Sequence, residues 1–333
     1  MKNNFAPINR IPSDIFYLIP GYLEDVNMDG NLITMTHVCR GWRELLVACS
    51  SLWTRLNCKN TDKTRIYIER SKSSPLNISL SRHSVSTYPE DAFLSVVPHI
   101  SRLKSLTIDG TVDPLQNLTP HLSCPIPLLR ELTINLVCNP APVLNNALFD
   151  GDLSSLRLLC LTGVITHLPW KNMSKLTTFI LSNVPGGNIS TTQLLDFLMN
   201  APHLRDIIFD RSIPTPSNAL PRRVVSLPCL KNLTIFADHG QPTLLNHLSI
   251  PAGASLDVEF EFHGNKSPLP ELLPKVPGNL KNVSSITSVN LCLGALYKFL
   301  RLYAQVGGST YLATGRIGMR APRPTWTIEL SGP

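Results

Sequence analysis

Several things are missing from this 333-residue chain, and each absence closes off a class of function. No apolar run approaches the roughly 20 residues of a membrane span. The start, MKNNFAPINRIPSD, has neither the apolar stretch nor the small-residue cleavage site of a secretory signal. The expectation is a chain in the reducing cytoplasm or nucleus, with no membrane partner. The eight cysteines (39, 49, 58, 124, 138, 160, 229 and 292) form no CxxC pair. Such scatter reads as small buried hydrophobes, not as disulfides or a metal cage. Seven Asn-x-Ser/Thr sequons, among them Asn77-Ile-Ser and Asn232-Leu-Thr, read as coincidental in that compartment.

The net charge is +7, yet basic residues come at most in pairs such as Arg222-Arg223. Diffuse basicity is a solvated surface, so no nucleic-acid partner is expected. There is no G-x-S-x-G elbow, P-loop or G-x-G-x-x-G. Histidines are isolated, and His37 and Cys39 sit at alternate positions, which point apart on a helix. The sequence therefore offers no catalytic residue, no metal site and no cofactor. Aromatic residues are only 7% of the chain, but two of its four tryptophans, Trp42 and Trp53, fall within HVCRGWRELLVACSSLWTRLN (37–57).

What the chain has in abundance is leucine at a repeating spacing. The frame L-x-x-L-x-L, with Ile, Val or Phe allowed, recurs as LKSLTI (103–108), LRELTI (129–134), LRLLCL (156–161), LTTFIL (176–181), LRDIIF (204–209) and LKNLTI (230–235). Successive starts lie 26, 27, 20, 28 and 26 residues apart. SLDVEF (255–260) and ITSVNL (286–291) are weaker echoes, PLNISL (75–80) an opening strand and TWTIEL (325–330) a closing one. Alternation within each unit predicts a strand. Helical spacing follows in TTQLLDFLMNAP (191–202), where Leu194, Leu195, Phe197 and Leu198 make one side, and also in DAFLSVVPHI (91–100) and LGALYKFLRLYA (293–304). Units that cannot bury an apolar face alone stack on one another, giving an α/β solenoid with parallel strands inside and helices and loops outside.

This pattern resembles the leucine-rich repeat proteins, in an irregular form whose usual Asn after the strand survives near Asn135 and Asn183. In that frame the positions facing the concave side are Thr107 and Asp109, Thr133 and Asn135, Cys160 and Thr162, Ile180 and Ser182, Ile208 and Asp210, Thr234 and Phe236, and Asp257 and Glu259. Ile180, Ile208 and Phe236 would make an apolar patch rimmed by Asp210, Asp257 and Glu259, which is either a candidate substrate face or a surface covered by a loop or by the C-terminal tail. Like charge argues against phosphate reading there, and phosphate reading elsewhere needs an arginine cluster that the sequence does not display.

Residues 8–57 have another rhythm. Pro12, Ser13 and Asp14 open a helix that carries Ile11, Ile15, Leu18, Ile19, Tyr22 and Leu23. After VNMDGN, a second helical stretch, LITMTHVCRGWRELLVAC, includes Gly41 as an expected bend. About 50 residues in short helices bury little on their own, and the apolar surplus asks for a neighbour. Ile11-Pro12-Ser13-Asp14-Ile15, Val38-Cys39-Arg40-Gly41-Trp42 and Leu52-Trp53 together resemble an F-box, with Ile for Leu and Asp for Glu in the first part. An F-box ahead of degenerate leucine repeats is similar to the large F-box families of mushroom-forming fungi.

The resemblance implies a disordered start (1–7), an F-box (8–57), a connecting segment (58–74) and a leucine-rich repeat substrate-binding domain (75–333). It implies a non-catalytic substrate-recognition subunit of an SCF-type (Skp adaptor–cullin–F-box) ubiquitin ligase. Its partners would be a Skp-type adaptor, through it a cullin–RING ligase, and a protein substrate. Ile11, Pro12, Ile15, Val38, Cys39 and Arg40 would touch the adaptor. Ile19, Trp42, Leu45 and Trp53 would form the F-box core, with Trp53 packing that module onto the first strand. The other reading is a non-catalytic leucine-repeat scaffold whose degenerate F-box engages no ligase.

Overall fold

Leucine and isoleucine on alternate positions, with polar residues between them, leave one face of a strand apolar, and the frame folds accordingly. The computed structural model describes residues 11–19, 32–81, 90–110, 119–137, 141–144, 153–166, 172–184, 189–212, 223–237, 243–261, 286–293, 299–306 and 326–328. The fold is α/β, and the chain divides into two compact units, Met1–Leu106 and Thr107–Pro333.

In the first unit, α1 (Ser13–Phe16) precedes a helical turn over residues 32–36 and then α2 (Arg40–Ala48). The break between these last two lies at Cys39, not at Gly41 as expected. Cys39 is extended (φ −157°, ψ 170°) and caps α2, its sulfur accepting from the Trp42 amide at 3.5 Å. Gly41 simply enters the helix. A 3-10 turn (Ser50–Trp53) leads to β1 (Arg55–Leu56), which pairs in parallel with β2 (Leu76–Ser81) at Arg55↔Asn77 and Leu56↔Ile78.

The crossover between them is α3 (Thr61–Ser71), so the segment read as a connector holds a helix. The Asn60 side chain caps it by accepting from the Lys63 amide at 2.9 Å. Its buried stripe is Thr64, Tyr67, Ile68 and Ser71, and two small polar residues in that stripe hide the helix from an apolar count. Residues 91–100 are helical as expected, in α4 (Glu90–Leu94) and a 3-10 turn (Val97–Arg102). β3 (Leu103–Gly110) follows.

In the second unit the frame yields β4 (Glu131–Leu136), β6 (Leu158–Thr162), β8 (Thr178–Ser182), β9 (Asp206–Asp210), β11 (Asn232–Ala237) and β13 (Ser255–Glu261), neighbours in that order and each pair parallel. Short parallel pairs flank them: β5 (Val143–Leu144) with β7 (Ile165–Thr166), and β10 (Val225–Ser226) with β12 (Leu248–Ser249). Leu132, Ile134, Leu159, Leu161, Phe179, Leu181, Ile207, Phe209, Leu233 and Ile235 are buried. Each such side chain contributes about 1.5–3 kcal/mol on burial. The Phe179 ring meets Phe197 at 4.5 Å and Phe209 at 5.9 Å between centroids.

Phe197 comes from α5 (Thr191–Met199), the helix expected over 191–202. A reciprocal cap holds its start: Ser190 Oγ accepts from the Gln193 amide, and Gln193 Oε1 accepts from the Ser190 amide. Beyond β13 the parallel pattern ends. Where a helix was expected over 293–304, the described residues 293 and 299–304 are strand: β14 (Ile286–Leu293) and β15 (Phe299–Val306) pair antiparallel with each other. β15 also pairs antiparallel with β13, and β16 (Trp326–Ile328) with β14. FLRLYAQV fits a period of 2 as well as one of 3.6, and strands on both sides supply the backbone partners that decide between them.

One glycine is required by the packing. Gly163 follows β6 at φ +65°, and a Cβ there would collide with the Leu136 carbonyl oxygen, which is fixed backbone. Gly163→Ala is expected to destabilise the protein by more than about 2 kcal/mol, read as a lowered midpoint in urea denaturation.

Candidate protein-docking surfaces

The short α1 turns one side inward and one outward. Phe16 is buried, and its ring meets Trp42 edge-on with centroids 4.9 Å apart. This places α1 against the first turn of α2. A second tie, Arg43 Nε donating to the Thr36 carbonyl at 2.9 Å, joins the 32–36 turn to α2. On the outward side Ile15 is 50% exposed and Leu18 54%, while Val38, one residue before the α2 cap, is 58% exposed. Pro12 and Cys39 are exposed and Ile11 is half-buried. Arg40 is exposed and paired with Glu44 at 2.7 Å, which raises its pKa through the hydrogen bond and the charge of that carboxylate. An exposed i,i+4 pair of this kind adds little stability.

The six residues assigned to the adaptor face therefore lie just before and on α1 and at the start of α2. Leu18, first counted on the same apolar stripe, adds a third well-exposed apolar side chain. Tyr22 and Leu23 lie outside the described residues. The module's core differs from expectation. Trp53 is fully buried, but Ile19, Trp42 and Leu45 are only half-buried, and Phe16, Leu32, Met35 and Leu46 complete the interior. Trp53 Nε1–H donates to the Leu46 carbonyl at 2.9 Å, Tyr67 meets its ring edge-on at 4.9 Å, and the Arg70 guanidinium lies 4.3 Å over it. It thus joins α2 to α3, the helix that sequence reading passed over.

Two cysteines of this unit contrast sharply. Cys39 is exposed, whereas Cys58 is buried and burial pushes its thiol up to about 12. The folded state then holds a proton that the unfolded chain releases near the ordinary value, so this contribution to stability is full below about pH 9 and lost as pH rises toward about 12. At neutral pH an alkylating reagent is expected to label Cys39 and to spare Cys58 until denaturant is added; mass spectrometry of the peptides checks it.

On the sheet, register sorts the face residues into rows. Thr133, Cys160, Ile180, Ile208, Thr234 and Asp257 stand in one, and Asn135, Thr162, Ser182, Asp210, Phe236 and Glu259 in the next. Ile180 and Ile208 are neighbours and half-exposed, but Phe236 falls in the second row between Asp210 and Glu259. The expected three-residue patch is therefore a pair with an offset third member. Asp210 is already engaged, accepting from Ser182 Oγ at 2.8 Å, and Asp109 accepts from Asn135 Nδ2 at 3.0 Å.

A cleft of about 1100 Å³ in the first unit brings Arg65, Lys72, His99 and Arg102 together, a cluster the sequence did not display. Arg102 donates from Nη2 to Ser71 Oγ and from Nε and Nη2 to the Ser74 carbonyl, and burial lowers its pKa. Glu69 and Asp91 line the same cleft, so its charge is mixed. Among the described residues no group of three or more His, Cys, Asp or Glu could hold a metal ion, and no helix is long and apolar enough to cross a membrane. No family model matches the chain, and no curated protein matches it.

Proposed function

We propose that this chain is the substrate-recognition subunit of an SCF-type ubiquitin ligase. In this reading residues 8–57 are an F-box that docks a Skp-type adaptor and through it a cullin–RING ligase, while residues 75–333 are an irregular leucine-rich repeat domain that binds a protein substrate. The observation that carries it is the outward display of Ile15, Leu18 and Val38 around a core anchored by Phe16 and Trp53. Exposed apolar side chains gathered on a small module mark a binding surface, and a few such anchors carry most interface energy. The in-register parallel strands recurring every 20 to 28 residues support the repeat part of the reading. Ubiquitin chemistry would belong to the partners, and this chain would contribute proximity and orientation.

Hydrogen exchange on the full chain with and without purified adaptor tests this. Slowed exchange at residues 11–19 and 36–42, with the strands at 158–162 and 206–210 unchanged, is the expected footprint. A footprint on those strands, or none, would overturn the reading in favour of a leucine-repeat scaffold.

A further inference from the structure

The cleft of the first unit has α3 on one side and α4 with the 3-10 turn after it on the other. Arg65, Glu69 and Lys72 line it from α3 and its end, at spacings that share one helix side. Asp91, His99 and Arg102 line it from the opposite wall. A volume of about 1100 Å³ is ample for a small molecule. The turn that ends α3 is built against its sequence. The Ser74 amide donates to the Ser71 carbonyl at 2.9 Å, closing a turn whose second residue is Lys72 at φ 52°, ψ −119°. Those angles belong to the second position of a type II′ turn, which favours glycine. A lysine is therefore held at the cleft against its backbone preference.

The same turn fixes Arg102. Ser71 Oγ accepts from Nη2 at 2.7 Å, and the Ser74 carbonyl accepts from Nε at 3.0 Å and Nη2 at 2.7 Å. These acceptors are neutral, the side chain is half-buried, and burial lowers its pKa with no carboxylate to offset the effect. Among the described residues neither Glu69 nor Asp91 forms an ion pair with Arg65, Lys72 or Arg102. A cation drawn partly out of water without a counter-ion is stabilised by an anion that enters beside it. The Nη1 N–H groups of Arg102 have no partner among the described residues, and a guanidinium edge of this kind suits a phosphoryl group. Arg65, Lys72 and Arg102 stand against only Glu69 and Asp91, so the anion meets a net positive wall. The two carboxylates are acceptors without donors, and hydroxyl groups on the same ligand would supply them.

We propose that this cleft binds a phosphorylated sugar, with its phosphoryl group on Arg65, Lys72 and Arg102 and its hydroxyls on Glu69 and Asp91. The site shares no residue with the adaptor face or with the rows of the sheet, so it does not depend on the ligase reading. A phosphorylated protein segment fits less well. A phosphoseryl side chain brings the anion but no free hydroxyl for the two carboxylates.

The test titrates the purified chain calorimetrically with glucose 6-phosphate, ribose 5-phosphate, inorganic phosphate, glucose and a phosphoserine peptide. At least one sugar phosphate is expected to bind about tenfold or more tightly than inorganic phosphate, and glucose not at all. Lys72→Gly has two opposed effects. Relief of the turn raises the thermal midpoint by about 1 °C or more, while sugar-phosphate affinity falls about tenfold. Glu69 and Asp91 are exposed, so Glu69→Gln with Asp91→Asn leaves the thermal midpoint unchanged. That pair is expected to weaken the sugar phosphate and to tighten inorganic phosphate, because it removes hydroxyl acceptors and like charge together. The proposal is overturned if neither sugar phosphate binds, or if inorganic phosphate or the peptide binds as tightly. It is equally overturned if Lys72→Gly or the carboxylate pair binds sugar phosphate like wild type.

Discussion

Trp53→Ala is expected to cost about 3–5 kcal/mol, the largest loss available from one side chain in the N-terminal unit. Trp53 is completely buried and is the piece that α2 and α3 share. Truncation removes its packing, leaves a cavity the size of an indole, and orphans the Leu46 carbonyl that accepts from Nε1 at 2.9 Å. It also strips Arg70 of the ring beneath its guanidinium and Tyr67 of its edge contact. Trp53→Phe should recover most of the packing while losing the hydrogen bond, at about 1–2 kcal/mol relative to wild type. Urea denaturation followed by circular dichroism measures both. A loss below about 1 kcal/mol for the alanine variant would mean that α2 and α3 do not depend on this side chain.

The second large effect is on binding alone. Ile15 and Val38 are half-exposed or more, so Ile15→Asp combined with Val38→Asp removes little that folding uses, and a stability change within about 0.5 kcal/mol is expected. At a docking surface the same pair places two carboxylates in an apolar contact. The expected loss of adaptor affinity is about a hundredfold or more, the scale of losing interface anchors. Phe16→Ala is the contrasting variant. Its ring is buried against Trp42, so it should lower stability and binding together.

Much of the strand pattern was legible because alternation reports directly on which side chains face the interior. Every L-x-x-L-x-L unit contributes a strand, from Leu103 to Ala237, and the helix of 191–199 was legible from the apolar side of Leu194, Leu195, Phe197 and Leu198. One helix was missed and one strand was misread as helix, both because hydrophobic spacing is an incomplete signal. Hydrophobic spacing is silent where a buried position holds Thr64 or Ser71, and it cannot choose a period where Leu300, Leu302 and Ala304 alternate within an apolar run. The helix break at Cys39 was missed because a cysteine sulfur is an uncommon cap, whereas Gly41 is a familiar breaker. On the candidate surfaces, Ile15 and Val38 were placed by the resemblance to an F-box, and both are exposed. The cluster of Arg65, Lys72, His99 and Arg102 could not be placed, because its first two members lie far along the chain from its last two and only the fold of the first unit brings them to one cleft.

The most direct measurement is a calorimetric titration of the purified chain with a Skp-type adaptor, for wild type and the Ile15→Asp, Val38→Asp pair. The proposed function predicts saturable one-to-one binding by wild type and at least about a hundredfold weakening in the well-folded variant. Heat of dilution alone from wild type, or equal affinity in the two proteins, would contradict it.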